Sequence, residues 1–205
     1  LVFLDRYAEK VASKLRNAKT VEFQRDVAVE LFAARALSAA GCSLVYEPEK
    51  GGPDFRCAMR GFEWYCEVKR MREVDYESGK TGHLSAFPPN LERKPGDIVC
   101  TAVRQVKPGH PNILYMRSDR FFQQDTDVRN AIDFIMDRSG AGDDAFFRNH
   151  RFSGCGDFKS KLSFLPAFVY DVQWIDDPSE GSVMVWRNPE TAFPLGEWLV
   201  ALLKQ

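Results

Sequence analysis

The stretch from Gly51 to Met71, GGPDFRCAMRGFEWYCEVKRM, most limits how this chain can fold. Apolar and polar residues alternate on both sides of Gly61, a pattern typical of two antiparallel strands joined by a tight turn. Side chains two positions apart lie on one face of a strand, so Glu67 and Lys69 point the same way. A hairpin that turns near Gly61 also brings Asp54, before the first strand, beside Glu67. The sequence therefore predicts two carboxylates and one amine in a single place.

These three groups have a chemistry in common. Two carboxylates held close together repel each other unless a cation lies between them or one of them takes up a proton. Oxygen ligands at this charge density suit Mg²⁺ or Mn²⁺. Such an ion can polarise a phosphoryl oxygen and acidify a bound water, and a nearby amine can stabilise developing negative charge. Asp54, Glu67 and Lys69 are thus the residue types that metal-assisted hydrolysis of a phosphodiester bond requires.

The rest of the pattern indicates one α/β domain over residues 1–205. Apolar spacing predicts a helix from Leu4 to Leu15, and a second helix that is capped by Thr20 and stops at Gly41. Residues 139–166 give no assignment. The other predicted segments are strands at 43–47, 55–59, 62–71, 112–116, 167–175 and 183–186, helices at 97–106 and 126–138, a loop or lid at 72–96, and a terminal helix that starts at Pro194.

Pro53-Asp54 followed by Glu67-Val68-Lys69 resembles the signature of the PD-(D/E)xK nuclease superfamily, which includes type II restriction enzymes and Holliday-junction resolvases. The order of elements from about residue 20 to residue 117 is similar too: a helix, three antiparallel strands, a helix and a fourth strand. The resemblance implies a restriction-endonuclease-like core, a mixed central sheet flanked by helices, with 118–205 extending the same domain. It also implies that Asp54 and Glu67 bind the metal and that Lys69 is the catalytic lysine.

Many members of that superfamily place one more acid on the first core helix. Glu22, Asp26 and Glu30 are four residues apart and share one face of the predicted helix. Glu30 lies in the apolar run VAVELFAA, where a charge needs a partner or a metal. We therefore predict Glu30 as a catalytic residue and third metal ligand, with Glu22 second. The alternative is a helix-surface acid that pairs with Arg35 or Lys69.

Some members also carry a glutamine on the second core helix, and Gln105 in TAVRQ is the match here, predicted as a neighbour of the site. The expected function is Mg²⁺-dependent (or Mn²⁺-dependent) hydrolysis of phosphodiester bonds, with DNA favoured over RNA as the partner. One alternative is a nucleic-acid-binding or protein-interaction module that keeps the fold without catalysis. Another is a structural α/β protein in which the three charged residues are dispersed in space.

Charge and cysteine content limit the partners and the compartment. The formal net charge is −1, so contact with nucleic acid requires a local basic patch. Arg56, Arg60, Arg70 and Arg72 lie near the motif, and they form either that patch or a scattered solvated face. An odd number of cysteines without CxxC spacing indicates reduced thiols and a cytoplasmic protein. No apolar run is long enough to predict a membrane span. Cleavage of both duplex strands would favour a homodimer.

Overall fold

The computed structural model describes residues 2–49, 51–71, 93–118, 125–172 and 182–204. These residues form a six-stranded mixed β-sheet with helices packed on both of its faces. The helices are α1 (Val2–Asn17), α2 (Val21–Ala39), α3 (Arg93–Gln105), α4 (Asp125–Gly140), α5 (Asp144–Asn149), α6 (Cys155–Leu162) and α7 (Glu197–Leu203), and the strands are β1 (Ser43–Tyr46), β2 (Phe55–Met59), β3 (Phe62–Met71), β4 (Asn112–Ser118), β5 (Ala167–Val172) and β6 (Ser182–Arg187).

The first three strands form the predicted antiparallel meander. Met59 of β2 pairs with Phe62 of β3 across a two-residue turn, Arg60-Gly61. Both turn residues have positive φ, 52° and 77°, which suits glycine at the second position and matches the right-handed twist of the flanking strands. The turn fixes the register of the hairpin, so Phe55 lies opposite Cys66, and the later residues of β3 pair with β4 instead.

The other half of the sheet is built by crossover connections. Strands β3, β4 and β5 run parallel, and β6 returns antiparallel to β5, so the six strands lie side by side in chain order. Because β3 and β4 are central, helices cover both of their faces, and every residue of β4 is buried. Glu67 lies beside Leu114 of β4 and is therefore enclosed although it is charged.

Each face of the sheet has its own apolar core. On one face, Trp64, Cys66 and Val68 of β3 pack with residues of α1, α2 and α7, including Ala33 and Ala34, which are fully buried. On the other face, residues of β4 and β5 pack with α3, α4, α5 and α6. Helix α2 packs against β1 and β3 on this face.

The predicted helices and strands are largely confirmed, with two corrections. The terminal helix begins at Glu197 rather than at Pro194, because Gly196 takes an extended conformation at its N-cap. Within the segment predicted as a loop, residues 93–96 already belong to α3, whereas 72–92 lie outside the described residues, as do 173–175 of the predicted fifth strand. None of the helices in the described ranges is long and apolar enough to cross a bilayer.

The segment that the sequence left unassigned, 139–166, folds mainly through its aromatic residues. It contains α5 and α6, and Phe147 of α5 stacks on Phe158 of α6 with ring centroids 4.3 Å apart. Asp143 caps α5, since its carboxylate accepts a hydrogen bond of 3.0 Å from the Phe146 N–H. These helices are short, so their position depends on burial of the aromatic side chains rather than on helical propensity.

Candidate functional site

The β2–β3 hairpin brings Asp54, Glu67 and Lys69 together. Asp54 precedes Phe55, whose partner in the register is Cys66, so the Asp54 side chain reaches the part of β3 that begins at Glu67. Its Oδ2 atom accepts a hydrogen bond of 2.8 Å from the Val68 backbone N–H. Lys69 Nζ donates a hydrogen bond to Glu67 Oε1. The three charged groups therefore share one place in the fold, at the end of the hairpin that is remote from its turn.

Burial makes this cluster electrostatically costly. Glu67 is 5% exposed, and its Oε2 atom has no hydrogen-bond partner among the described residues. Burial raises the pKa of Glu67, although the Lys69 ammonium acts in the opposite direction. Burial, followed by the charges of Glu67 and Glu30, raises the pKa of Asp54 to about 8. The pair therefore favours a proton or a bound cation over two bare carboxylates.

A cavity of about 740 Å³ opens beside the cluster. Asp54 and Lys69 line it, whereas the buried Glu67 lies behind Lys69 and is not among the lining residues. The C-terminal end of α1, the first half of α2 and the middle of α3 supply the other walls. The cavity thus gives a small molecule or a chain end access to Asp54 and Lys69.

Glu30 reaches the same cavity from α2, but protein donors already hold it. Its carboxylate accepts hydrogen bonds of 2.9 and 2.7 Å from Lys14 Nζ and one of 2.6 Å from the Tyr46 hydroxyl. Glu30 is buried, as predicted from its apolar surroundings, yet its partner is neither Arg35 nor Lys69. Its negative charge still acts on Asp54 and Glu67 through space.

The predicted shell of three acidic ligands is therefore not assembled. In the part of the chain that the structure describes, no three His, Cys, Asp or Glu side chains are grouped as a metal site. Glu22 and Asp26, the other acids of that helix face, both pair with Arg70. Arg70 follows Lys69 in sequence, and with 4% of its side chain exposed it joins β3 to α2 rather than forming a basic surface.

Gln105, the predicted neighbour of the site, does not line the cavity. On α3 the lining residues are Asp97, Ile98 and Thr101, which lie one or two turns earlier. Residues 97, 101 and 105 are four apart, so helical spacing selects the correct face. Helical spacing does not determine which turn of α3 reaches the cavity, because that depends on where the helix crosses the sheet.

Lys14 and Phe23 are site residues that the sequence reasoning missed. Lys14 lies near the end of α1, a helix that precedes the recognisable core, and nothing in its local pattern marks it. Phe23 lies in the first turn of α2, three residues after the helix cap Thr20, and the structure leaves it 55% exposed. The local sequence does not reveal that exposure, so neither residue could be identified from its neighbours in the chain.

A second cavity, of about 850 Å³, lies between α1, α2 and β1. Its walls are mainly apolar, with Phe3, Leu31 and Leu44 among them, and none of the described residues that line it is a carboxylate. The first cavity, which Asp54 and Lys69 line, is called the acidic cavity below and is the better candidate for hydrolytic chemistry.

Comparisons with models of protein families, with curated proteins and with solved structures give no match to this chain.

Proposed function

We propose that this chain is a metal-dependent nuclease of the PD-(D/E)xK type that hydrolyses phosphodiester bonds in DNA. The observation that carries the proposal is the grouping of Asp54, Glu67 and Lys69 at one end of the β2–β3 hairpin, where Asp54 and Lys69 line a cavity. The order of elements also supports a restriction-endonuclease-like core: α2, three antiparallel strands, α3 and a parallel strand β4. A match of motif, contact and topology is more specific than the motif alone.

The donor set fits a magnesium or manganese ion held by two carboxylates. Mg²⁺ in phosphate-processing sites is commonly bound by only one or two protein carboxylates, with waters and substrate phosphate completing its shell. Asp54 and Glu67 would hold the ion, and the unpartnered Glu67 Oε2 is an oxygen that ligation would satisfy. When bound, the ion supplies polarisation of the phosphoryl oxygen and a more acidic water. Glu30 is not needed as a ligand in this arrangement.

In this proposal Lys69 contributes a positive charge and Glu30 a negative charge at fixed positions in the site. Lys69 pairs with Glu67 and also lines the cavity, so its ammonium can hydrogen-bond a phosphate oxygen that enters there. Glu30 is a positioning residue: Lys14 and Tyr46 fix its carboxylate, and its negative charge favours a cation beside Asp54. Replacing Glu30 by glutamine should therefore weaken metal affinity before it affects the chemical step.

The alternative is a nucleic-acid-binding module of the same fold that does not cleave. It is favoured by one observation, namely that the described residues contain no group of three metal-ligating side chains. Calorimetric titration with Mn²⁺ separates the two functions. A nuclease should bind Mn²⁺, and Asp54→Asn should abolish that binding, whereas a module without catalysis should give no heat that depends on Asp54.

The direct test is cleavage of end-labelled single-stranded and duplex DNA in Mg²⁺, with EDTA as the blank. Asp54→Asn and Lys69→Met should each reduce the rate at least about 10²-fold, the usual effect of removing one group that stabilises charge in a transition state. Asp133→Asn is the matched control, because Asp133 is exposed on α4 and does not line the cavity. Cleavage that persists in either site variant contradicts the proposed roles.

A further inference from the structure

The second cavity, which lies between α1, α2 and β1 and is called the apolar cavity here, combines exposed cations with a buried apolar floor. We infer that it binds a fatty acid, with the carboxylate at Arg6 and Arg35 and the hydrocarbon chain against the floor. The apolar cavity and the acidic cavity share none of their described lining residues. The inference therefore goes beyond the proposed nuclease function and does not depend on it.

Helix α2 supplies the longest wall of the apolar cavity. Its lining side chains form one stripe along the helix, because they recur at the spacing of a helical face. The members of this stripe are Ala28, Leu31, Phe32, Arg35 and Ala39. At a rise of 1.5 Å for each residue, the stripe is about 16 Å long. A wall of this length and composition suits an extended apolar ligand.

The apolar cavity runs from the surface towards the interior. At its floor, Leu44 and Cys42 are only 6% and 8% exposed, whereas Phe32 on the helix wall is 45% exposed. The Tyr7 hydroxyl is already used within the protein, since it donates a hydrogen bond of 3.3 Å to the Leu44 carbonyl oxygen. A hydrocarbon chain that covers this floor removes apolar surface from water, which is the main favourable contribution to such binding.

Two arginines line the apolar cavity at its exposed side. Arg35 was one of the two partners considered for Glu30, but Glu30 accepts its hydrogen bonds from other residues. In the part of the chain that the structure describes, neither Arg35 nor Arg6 forms an ion pair with a carboxylate. Arg6 lies 5.4 Å from the centroid of the Tyr7 ring, which is a cation–π contact. Because a guanidinium binds a carboxylate through two parallel N–H donors, this side of the cavity suits a carboxylate group.

The shape and the chemistry of the cavity favour a fatty acid over two other anionic ligands. A nucleotide carries hydroxyl and base groups that would be buried against Leu31 and Leu44 without hydrogen-bond partners. An acidic helix of a partner protein is about 10 Å wide and would lie over the opening without reaching the floor. A fatty acid has one charged end and a slender chain. The volume, about 850 Å³, lies within the range of about 300–1,000 Å³ that is usual for small-molecule sites.

The test measures binding of a fluorescent fatty acid, dansylaminoundecanoic acid, and its displacement by oleate or by oleyl alcohol. Oleate should bind more tightly, because oleyl alcohol has the same chain without the charge. Changing both Arg6→Met and Arg35→Met should raise the Kd of oleate by about 2- to 30-fold, the combined effect of two exposed ion pairs, and leave that of oleyl alcohol unchanged. Ala28→Trp, which places a large side chain in the cavity, should abolish binding of both.

Arg25→Met is the matched control, since Arg25 is exposed on the same helix, pairs with Glu22 and lines neither cavity. It should leave both Kd values unchanged. Thermal unfolding should show that the arginine variants remain folded and that oleate raises the Tm of the wild type. Because both arginines are exposed, their replacement tests the site even if Ala28→Trp fails to fold.

Three results would overturn the inference. The first is no measurable binding of the fluorescent fatty acid. The second is equal affinity for oleate and oleyl alcohol that the double arginine variant does not change, which would indicate apolar adsorption without recognition of the carboxylate. The third is displacement of the probe by deoxyadenosine monophosphate and not by oleate, which would make the cavity a nucleotide site.

Discussion

Replacing Asp54 by asparagine should stabilise the metal-free protein while removing an acid that the proposed metal site needs. In the folded protein the pKa of Asp54 is raised from 3.8 to about 8 by burial and by the charges of Glu67 and Glu30. Between these two values the folded state binds more protons than the unfolded chain, so stability falls as the pH rises through this window. One pKa unit corresponds to about 1.4 kcal/mol, and a shift of about four units therefore sets an upper limit of about 6 kcal/mol on the cost of ionised Asp54.

Asparagine removes this cost and keeps an oxygen for the hydrogen bond from the Val68 N–H. Thermal unfolding in EDTA should therefore show a higher Tm for Asp54→Asn near pH 9, by about 2–4 °C for each kcal/mol recovered in a chain of this size. The gain should shrink near pH 5, where Asp54 is protonated in the folded protein. Adding Mg²⁺ should raise the Tm of the wild type near pH 9 and leave that of the variant unchanged.

Asp133→Asn, an exposed change on α4, should not alter the Tm at either pH. The reasoning fails if Asp54→Asn lowers the Tm near pH 9, or if its effect is the same at both pH values. Either result would mean that Asp54 is not held as a costly buried carboxylate.

Three further changes test other contacts of the fold. Lys69→Met should reduce the rate of Mg²⁺-dependent cleavage at least about 10²-fold but retain Mn²⁺ binding in calorimetry. Loss of both would make Lys69 necessary for the metal site itself. Lys14→Met should lower the free energy of unfolding by about 1–3 kcal/mol, because Glu30 loses two hydrogen bonds from an ammonium. Its control is Arg148→Met, which breaks an exposed ion pair with Asp144 and should lower the free energy of unfolding by at most about 1 kcal/mol. Leu114→Ala should cost about 2–5 kcal/mol in denaturant unfolding, since its side chain is fully buried in the central strand β4, and a cost near zero would contradict that placement.

Local pattern was sufficient for the hairpin and for most elements. Alternation around Gly61 fixed the phase of β2 and β3, and that phase alone puts Glu67 and Lys69 on one face with Asp54 nearby. Periodicity likewise identified α2 and its Thr20 cap. These features depend on neighbours within a few residues, so the sequence carries them directly. Local pattern gave the wrong start for α7: the helix begins at Glu197 rather than at Pro194, because Gly196 takes an extended conformation.

The partners of the charged residues were decided only in three dimensions. Glu30 was correctly expected to be buried, but its carboxylate is held by Lys14 of α1 and Tyr46 of β1, each 16 residues away along the chain. Gln105 was predicted at the site, but other residues of α3 line the cavity. The sequence missed this because the position at which a helix crosses a sheet is set by packing along both elements. Spacing in the sequence determines which side chains share a face of a strand or helix. The packing of whole elements determines which faces meet, and thus which charges at this site are neutralised within the protein and which are left for a ligand.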